Sequence, residues 1–398
     1  MSVLNSKTDI FGGGTMKKYI PYGKQWIDDN DIKAVEEVLR SDYLTTGPKI
    51  AEFEEKLTKI TGAKYAVAIA NGTAALHAAC FAAGVEDGDE IITTPITFAA
   101  SANAAIYCGG RPVFADIDTQ TYNIDPEDIK RKITAKTKAI IPVHYTGQPC
   151  DMDSIMSIAK EHGLTIIEDA AHAIGAKYKG KSIGSISDMT TFSFHPVKQI
   201  TTGEGGAITT NDENLYEKLS MFRAHGITRN SSKLNKNEGP WYYEQQFLGY
   251  NYRITDIQAA LGISQLSKLD MFVGKRKEYV KLYNEAFAEV EDIIIPEQLS
   301  KTESSWHLYI IQLKLEKLKA GRKEIFQELI HAGIGVNVHY IPVYYHPYYR
   351  SLGYKKGVCP NAEKLYERII TLPLYPAMEI EDVEYVIKAV KTIIEKYK

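Results

Sequence analysis

The sequence predicts an α/β protein: a large domain on a mostly parallel sheet, followed by a smaller C-terminal α+β domain. Three observations carry this. From Tyr65 to Thr210, short β-branched runs alternate with segments of helical periodicity, the pattern of strands joined by crossover helices. Acids and small residues gather where such runs end, as in Glu168-Asp169-Ala170-Ala171-His172, and ligands of open α/β sheets bind at the carboxyl ends of strands. The 398 residues exceed what one hydrophobic core usually organises, so two domains are expected.

The elements follow in order. Met1 to Thr15 is polar, with Gly12-Gly13-Gly14 before a second methionine, Met16; it reads as a leader or tag. Asp28 to Arg40 is helical, opened by Asp28-Asp29-Asn30-Asp31 as capping material. Tyr43 to Pro48 is a loop, and a helix runs from Ala51 to Ile60. Strands are predicted at Tyr65–Ala70, Glu90–Thr94, Pro112–Ile117, Ala139–Val143 and through Leu164–Asp169. Helices between them start near Gly72, Phe98, Pro126 and Met152. Past Lys198 come a strand at Gly206–Thr210, a helix from Glu213 to Phe222, and a polar, aromatic excursion to Gln246, long for a plain loop. Ile254 to about Val290 reads as helix. The C-terminal part carries strands near Leu308–Leu315 and Val336–Tyr340, and helices near Arg322–Ala332, Ala362–Ile370 and Glu379–Lys396. The expected division is 1–15 leader, 16–265 large domain with an N-terminal arm, and 266–398 small domain.

A net charge of −3 argues against a nucleic-acid footprint, which is normally basic. Four cysteines stand far apart without metal-ligand spacing, so neither zinc nor a disulfide framework is expected, and reduced thiols in the cytoplasm are the simpler reading. No apolar stretch reaches membrane-spanning length, and no signal-peptide core opens the chain.

Chemistry concentrates at Thr191-Phe192-Ser193-Phe194-His195-Pro196-Val197-Lys198, followed by Gly203-Glu204-Gly205-Gly206. Pro196 ends the strand centrally, and the turn beyond presents Lys198. A fixed lysine with a lowered pKa forms a Schiff base with a carbonyl cofactor. Asp169, at the end of an earlier strand, is either a helix N-cap or the acid that keeps a pyridine nitrogen protonated. Together the two are the pair pyridoxal 5′-phosphate needs. Asn71-Gly72-Thr73-Ala74-Ala75-Leu76 joins strand to helix and is either an ordinary capped helix or a phosphate site. Phe98 is either core or a ring-stacking aromatic, and the Ser193 hydroxyl is a further phosphate candidate.

In this order, these motifs resemble the fold-type-I pyridoxal-phosphate enzymes, aspartate-aminotransferase-like in fold, and more narrowly the DegT/DnrJ/EryC1/StrS sugar aminotransferases. The resemblance runs from Tyr19 to the C-terminus and includes Leu44-Thr45-Thr46-Gly47-Pro48, Thr94-Pro95-Ile96-Thr97-Phe98 and Gly249-Tyr250-Asn251-Tyr252-Arg253. It implies Lys198 as the catalytic lysine, Asp169 on the pyridine nitrogen and His172 beside the cofactor. It further implies Phe98 on the ring, and Thr73, Ala74 and Ser193 on the phosphate. Asn251 would reach the phosphate of the other subunit's cofactor, making the active unit a homodimer. Nucleotide-sugar contacts are implied for Tyr22, for Tyr43, Leu44, Thr45 and Thr46, and for His339, Tyr340, Ile341 and Pro342. From its residues alone, His339 is equally a satisfied core histidine. The Tyr344-to-Arg350 cluster is either a uridine-diphosphate surface or a loop with stacked rings.

Within the family the likeness is to the subgroup of pseudaminic acid biosynthesis, which aminates a UDP-linked 4-keto-6-deoxy-N-acetyl hexosamine at C4 with L-glutamate as donor. Gln199 departs from that subgroup's proline, and the Trp241–Gln246 stretch has no counterpart. Amination at C3 or C4 of another UDP-, dTDP- or GDP-keto sugar is the alternative. Two rivals of other classes are a sugar dehydratase, which replaces the lysine by histidine, and a non-enzymatic sensor. Lys198 argues against the first, and intact Lys198, Asp169 and Ser193 argue against the second.

Overall fold

The computed structural model describes residues 19–398; the expected leader lies outside them. The central sheet has seven strands in the order Tyr65–Ile69, Gly206–Thr210, Met189–Ser193, Thr165–Asp169, Thr137–Ile141, Glu90–Thr93 and Arg111–Phe114. Gly206–Thr210 pairs antiparallel with both neighbours, and the other pairs are parallel. This is the mostly parallel sheet and the fold type I architecture expected. Alternation along each strand feeds two cores. In the first strand Ala66 and Ala68 face one side, Val67 and Ile69 the other. The helix Gly72–Ala82, rich in alanine, is buried along almost its whole length against one face, because small side chains let helix and sheet approach closely.

A second, antiparallel sheet of Ile293–Ile294, Tyr309–Leu313 and Ile369–Leu372 lies in the C-terminal part. With the helix Ile380–Lys396 it encloses a separate core around Tyr283, Phe287, Leu372 and Ile394. Ile20, at the start of the described chain, packs into this C-terminal core and bridges to Ile334. The helix Leu269–Phe287 serves both parts: Leu269, Phe272 and Val273 pack below the large sheet, Tyr279, Tyr283 and Phe287 in the C-terminal core. Between them the guanidinium of buried Arg276 donates to the carbonyls of Trp306, His307 and Leu374 at 3.2, 3.0 and 2.8 Å.

Three expectations are corrected. The long helix expected from Ile254 is two helices, Asp256–Leu266 and Leu269–Phe287. Ser267 bonds back to the Ser264 carbonyl at 2.6 Å, and Lys268 is pinned to Asp31 at 2.6 Å and Asp28 at 2.9 Å. The strand expected at Val336–Tyr340 is a single bridge between Asn337 and Thr371, because the Asn337 side chain takes the Val338 amide at 2.8 Å and withdraws it from a ladder. Ile369 and Ile370, read as the end of a helix, open a strand, Ile369–Leu372, at the edge of the small sheet beside Tyr309–Leu313; its β-branched run, buried along its whole length, suits a strand.

Candidate active site

One edge of the large sheet gathers the chemistry. Ile69, Gly206 and Ser193 are register neighbours, and Asp169 pairs with Thr191 on the adjacent strand. The loops leaving this edge carry Asn71 to Ala74, His172 and Lys198. Gly72 and Gly206 permit the crowding: a Cβ on Gly72 would lie 2.9 Å from Ser193 Cβ, and one on Gly206 2.6 Å from the Asn71 carbonyl. Above the edge lies a cavity of about 1270 Å³.

Thr73, Ala74, Phe98, Asp169, His172, Ser193 and Lys198 all line this cavity. Asn71 caps the helix Gly72–Ala82 by accepting from the Ala74 amide at 2.8 Å. The Gly72 and Thr73 amides, which have no partner inside the helix, remain for an anion beside the Ser193 hydroxyl. Asp169 is no helix cap. Its Oδ2 accepts from Ser101 Oγ at 2.6 Å and its Oδ1 from the Ala171 amide at 3.1 Å. Phe98 is 64% exposed and stands at the cavity, not in a core.

Burial lowers the Lys198 amine to about 8, although the Asp169 carboxylate acts to raise it. Three imidazoles surround this charge. His172 and His307 are driven well below the ordinary histidine value by burial and by Lys198, and His339 is lowered to about 3 for the same reasons. All three are therefore neutral near pH 7. His172 Nε2 meets the Tyr340 hydroxyl at 3.0 Å, while its Nδ1 is buried without a partner among the described residues.

The facing wall comes from the C-terminal part. Tyr22, His339, Tyr340 and Ile341 line it. His339 Nδ1 is also tied to Thr371 Oγ1 at 2.9 Å, and its carbonyl accepts from the Tyr145 hydroxyl, so it is both a satisfied histidine and a cavity residue. Pro342 turns away and is buried. Tyr344 and Tyr349 belong to a core with Phe114, their hydroxyls on Glu363 at 2.7 Å and Asn103 at 2.5 Å; packing, not nucleotide contact, accounts for them.

Besides Pro342, five expected residues lie outside this cavity. Tyr43, Leu44, Thr45, Thr46 and Asn251 are exposed on the same chain's surface. The Tyr43–Thr46 loop is tied to the start of the helix Asp256–Leu266: Thr45 bridges Thr255, the Asp256 amide donates to the Leu44 carbonyl at 3.0 Å, and the Asp256 carboxylate takes the amides of Gly47 and Lys49 at 2.8 and 2.9 Å; Asn251 bridges Ala224 instead.

The profile of the DegT/DnrJ/EryC1/StrS aminotransferase family matches residues 25–391. The chain belongs to this family. As a member it is a sugar aminotransferase, a transaminase using pyridoxal phosphate. It is 44% identical to the spore coat polysaccharide biosynthesis protein SpsC of Bacillus subtilis over 379 residues, covering 95% of this chain and 97% of that protein. It is 38% identical to the UDP-4-amino-4,6-dideoxy-N-acetyl-beta-L-altrosamine transaminase of Campylobacter jejuni over 382 residues, 95% and 98% of the two chains. Among solved structures it is similar to Helicobacter pylori PseC, an aminotransferase involved in the biosynthesis of pseudoaminic acid. There the TM-score is 0.89 at 36% identity, with 96% and 100% of the chains covered.

The donor set fits the family's cofactor: a desolvated amine, an acid at the cavity floor, a helix start for a phosphate and an unpartnered imidazole nitrogen. Sequence reasoning gave no role to Glu168, Ser101, Thr97 or His307. Glu168 is buried at 0% exposure, accepting from His144 Nε2 at 2.7 Å, Ser187 Oγ at 2.6 Å and Thr190 Oγ1 at 2.9 Å. Its place one residue before Asp169 on a strand, hence on the opposite face, was the available signal. Gln199, singled out as a departure, donates to the His172 carbonyl and to Ser305 Oγ at 2.8 Å. It thereby ties the lysine loop to the segment entering the C-terminal part.

Proposed function

We propose that the enzyme moves the amino group of L-glutamate to C4 of UDP-2-acetamido-2,6-dideoxy-4-keto-hexose, the amination step of the pseudaminic acid pathway. The observation that carries this reading is the Lys198 amine, lowered to about 8, in one cavity with Asp169, His172 and Phe98, in a chain so similar to a transaminase of that UDP-sugar class. Bound pyridoxal phosphate supplies an aldehyde that amines condense with and a ring that withdraws electrons. Lys198 Nζ would hold the cofactor through its aldehyde, and as a free amine would carry the proton taken from the donor Cα. The same amine runs the transfer in reverse on the sugar, delivering a proton to C4. Asp169 would keep the ring nitrogen protonated, Phe98 would stack on the ring, and Thr73, Ala74 and Ser193 would hold the phosphate. Tyr22, His339, Tyr340 and Ile341 orient the sugar nucleotide.

The exposure of Tyr43 to Thr46 and of Asn251 away from their own chain's cavity supports a homodimer in which each chain completes its partner's cavity. A second reading, amination of a different nucleotide-linked keto sugar, is favoured by the higher identity to SpsC. Incubation with glutamate and a panel of UDP-, dTDP- and GDP-keto sugars, with products identified by mass and NMR, separates the two. A 4-amino UDP-N-acetyl sugar is expected. Turnover confined to a non-acetamido or dTDP sugar overturns the first reading.

A further inference from the structure

The floor of the cavity holds a hydroxyl chain with no assigned role. Thr97 Oγ1 lies 2.7 Å from Ser101 Oγ, which lies 2.6 Å from Asp169 Oδ2, and all three residues are at least nine-tenths buried. Each line the cavity. A serine hydroxyl has one proton, and three oxygens surround this one: Asp169 Oδ2, Thr97 Oγ1 and, at 3.4 Å, the Phe98 carbonyl. An ionised carboxylate and a carbonyl can only accept, so Thr97 must donate to Ser101 when Ser101 donates to Asp169. The chain then runs one way, toward the carboxylate. Together with the Ala171 amide on Oδ1, it secures an anion in place while leaving lone pairs toward the cavity. Ser101 also sits in the turn after Phe98, its amide donating to the Phe98 carbonyl at 3.2 Å.

We infer that Thr97 and Ser101 are positioning residues that hold the Asp169 carboxylate aimed at the cofactor's ring nitrogen, and that they link it to Phe98. The inference rests on the reading of Asp169 as the ring-nitrogen partner. Neutral donors to a carboxylate favour its charged form, so the proton shared with the ring stays on the ring. Losing Ser101 removes a charge-assisted bond, while losing Thr97 only weakens it by depolarising the chain.

The test uses the full enzyme loaded with ¹⁵N-labelled pyridoxal phosphate, reading the ring-nitrogen resonance together with cofactor affinity by titration. Ser101→Ala is expected to move the resonance toward the unprotonated position and raise the cofactor Kd roughly tenfold. Thr97→Val is expected to do both to a smaller extent, roughly threefold in Kd. Ser101→Thr, which keeps a hydroxyl, restores the parent signal. A parent-like resonance in Ser101→Ala, or one equally displaced in Ser101→Thr, overturns the inference. Should Ser101→Ala not fold, an unmoved resonance in Thr97→Val overturns it alone. Asp169→Asn in the same measurement separates the two levels. If it deprotonates the ring while Ser101→Ala does not, only the relay fails; if it leaves the ring protonated, the reading of Asp169 fails and the relay with it.

Discussion

One wall of the cavity is the carboxyl edge of a regular sheet; the other is irregular backbone from the C-terminal part. On the sheet wall the positions of Asp169 and Ser193 are set by strand register, and each is carried by a short local motif. On the facing wall His339 and Tyr340 follow a single bridge at Asn337 and are held by contacts from far along the chain: Tyr145 and Thr371 on His339, His172 on Tyr340, and the Pro95 carbonyl on the Val343 amide at 3.0 Å. Strand register fixes Asp169 and Ser193 and the starts of the loops that carry His172 and Lys198, while the facing wall depends on long-range contacts to irregular backbone. Substitutions on the first wall should therefore strike rate and cofactor, and those on the second should strike substrate affinity.

The largest break is expected at Lys198. Lys198→Ala loses the proton carrier, worth about 10²–10⁴-fold by itself, together with the covalent hold on the cofactor, so single-turnover amination falls below detection. A variant retaining measurable single-turnover rate would remove Lys198 from the sheet wall's chemistry. Next is the exposed Asn251. Asn251→Ala is expected to weaken cofactor binding by about 1–3 kcal/mol, the cost of an unpaired charged partner. Mixed with Lys198→Ala subunits it should regain activity, because a shared site leaves one intact centre per heterodimer. Mixed dimers that form without rescue, at a cofactor concentration that fills parent sites but not Asn251→Ala sites, speak for a same-chain arrangement.

Glu168 sharpens the contrast within one strand, since it and Asp169 are successive residues with opposite fates. Burial pushes the Glu168 carboxyl up, but His144, Ser187 and Thr190 outweigh it and hold the carboxyl below its ordinary value of 4.5. Its contribution to stability is therefore full above that value and is lost as pH falls through the lowered one. Glu168→Gln presents an amide to these donors, and urea denaturation at pH 7 should show about 1–3 kcal/mol less stability, with a flatter dependence below pH 5. Stability equal to the parent at pH 7 would mean the network is not anchored there. The smallest effect is expected on the facing wall. Tyr340→Phe strips the hydroxyl from His172 Nε2, and steady-state kinetics should show a raised sugar KM with kcat within about threefold.

The same contrast governs what the sequence disclosed. Strand ends at Asp169 and Ser193, the glycines at 72 and 206 and the lysine turn are legible because local pattern and register determine them. Tyr22 and His339 to Ile341 were reached only through resemblance. Nothing local announces that Asn337 would break a strand, that Ile20 would join a distant core, or that Arg276 would hold three carbonyls. Ser101 was hidden differently: its neighbour Phe98 was singled out, but a buried serine on an alanine-rich helix has no pattern until the fold sets it 2.6 Å from Asp169.

The account turns on Lys198 being the desolvated amine that holds the cofactor. The direct measurement mixes cofactor-free enzyme with pyridoxal phosphate across a pH series, reduces the adduct with borohydride and maps the labelled peptide. With its amine lowered to about 8, Lys198 is roughly one-tenth neutral at pH 7, against about three in ten thousand for an exposed lysine. The neutral form is the nucleophile, so capture should rise up to pH 8, level off above it, and label the Lys198 peptide alone. Label on another lysine, or capture still climbing at pH 10 as for an exposed amine, would contradict the account.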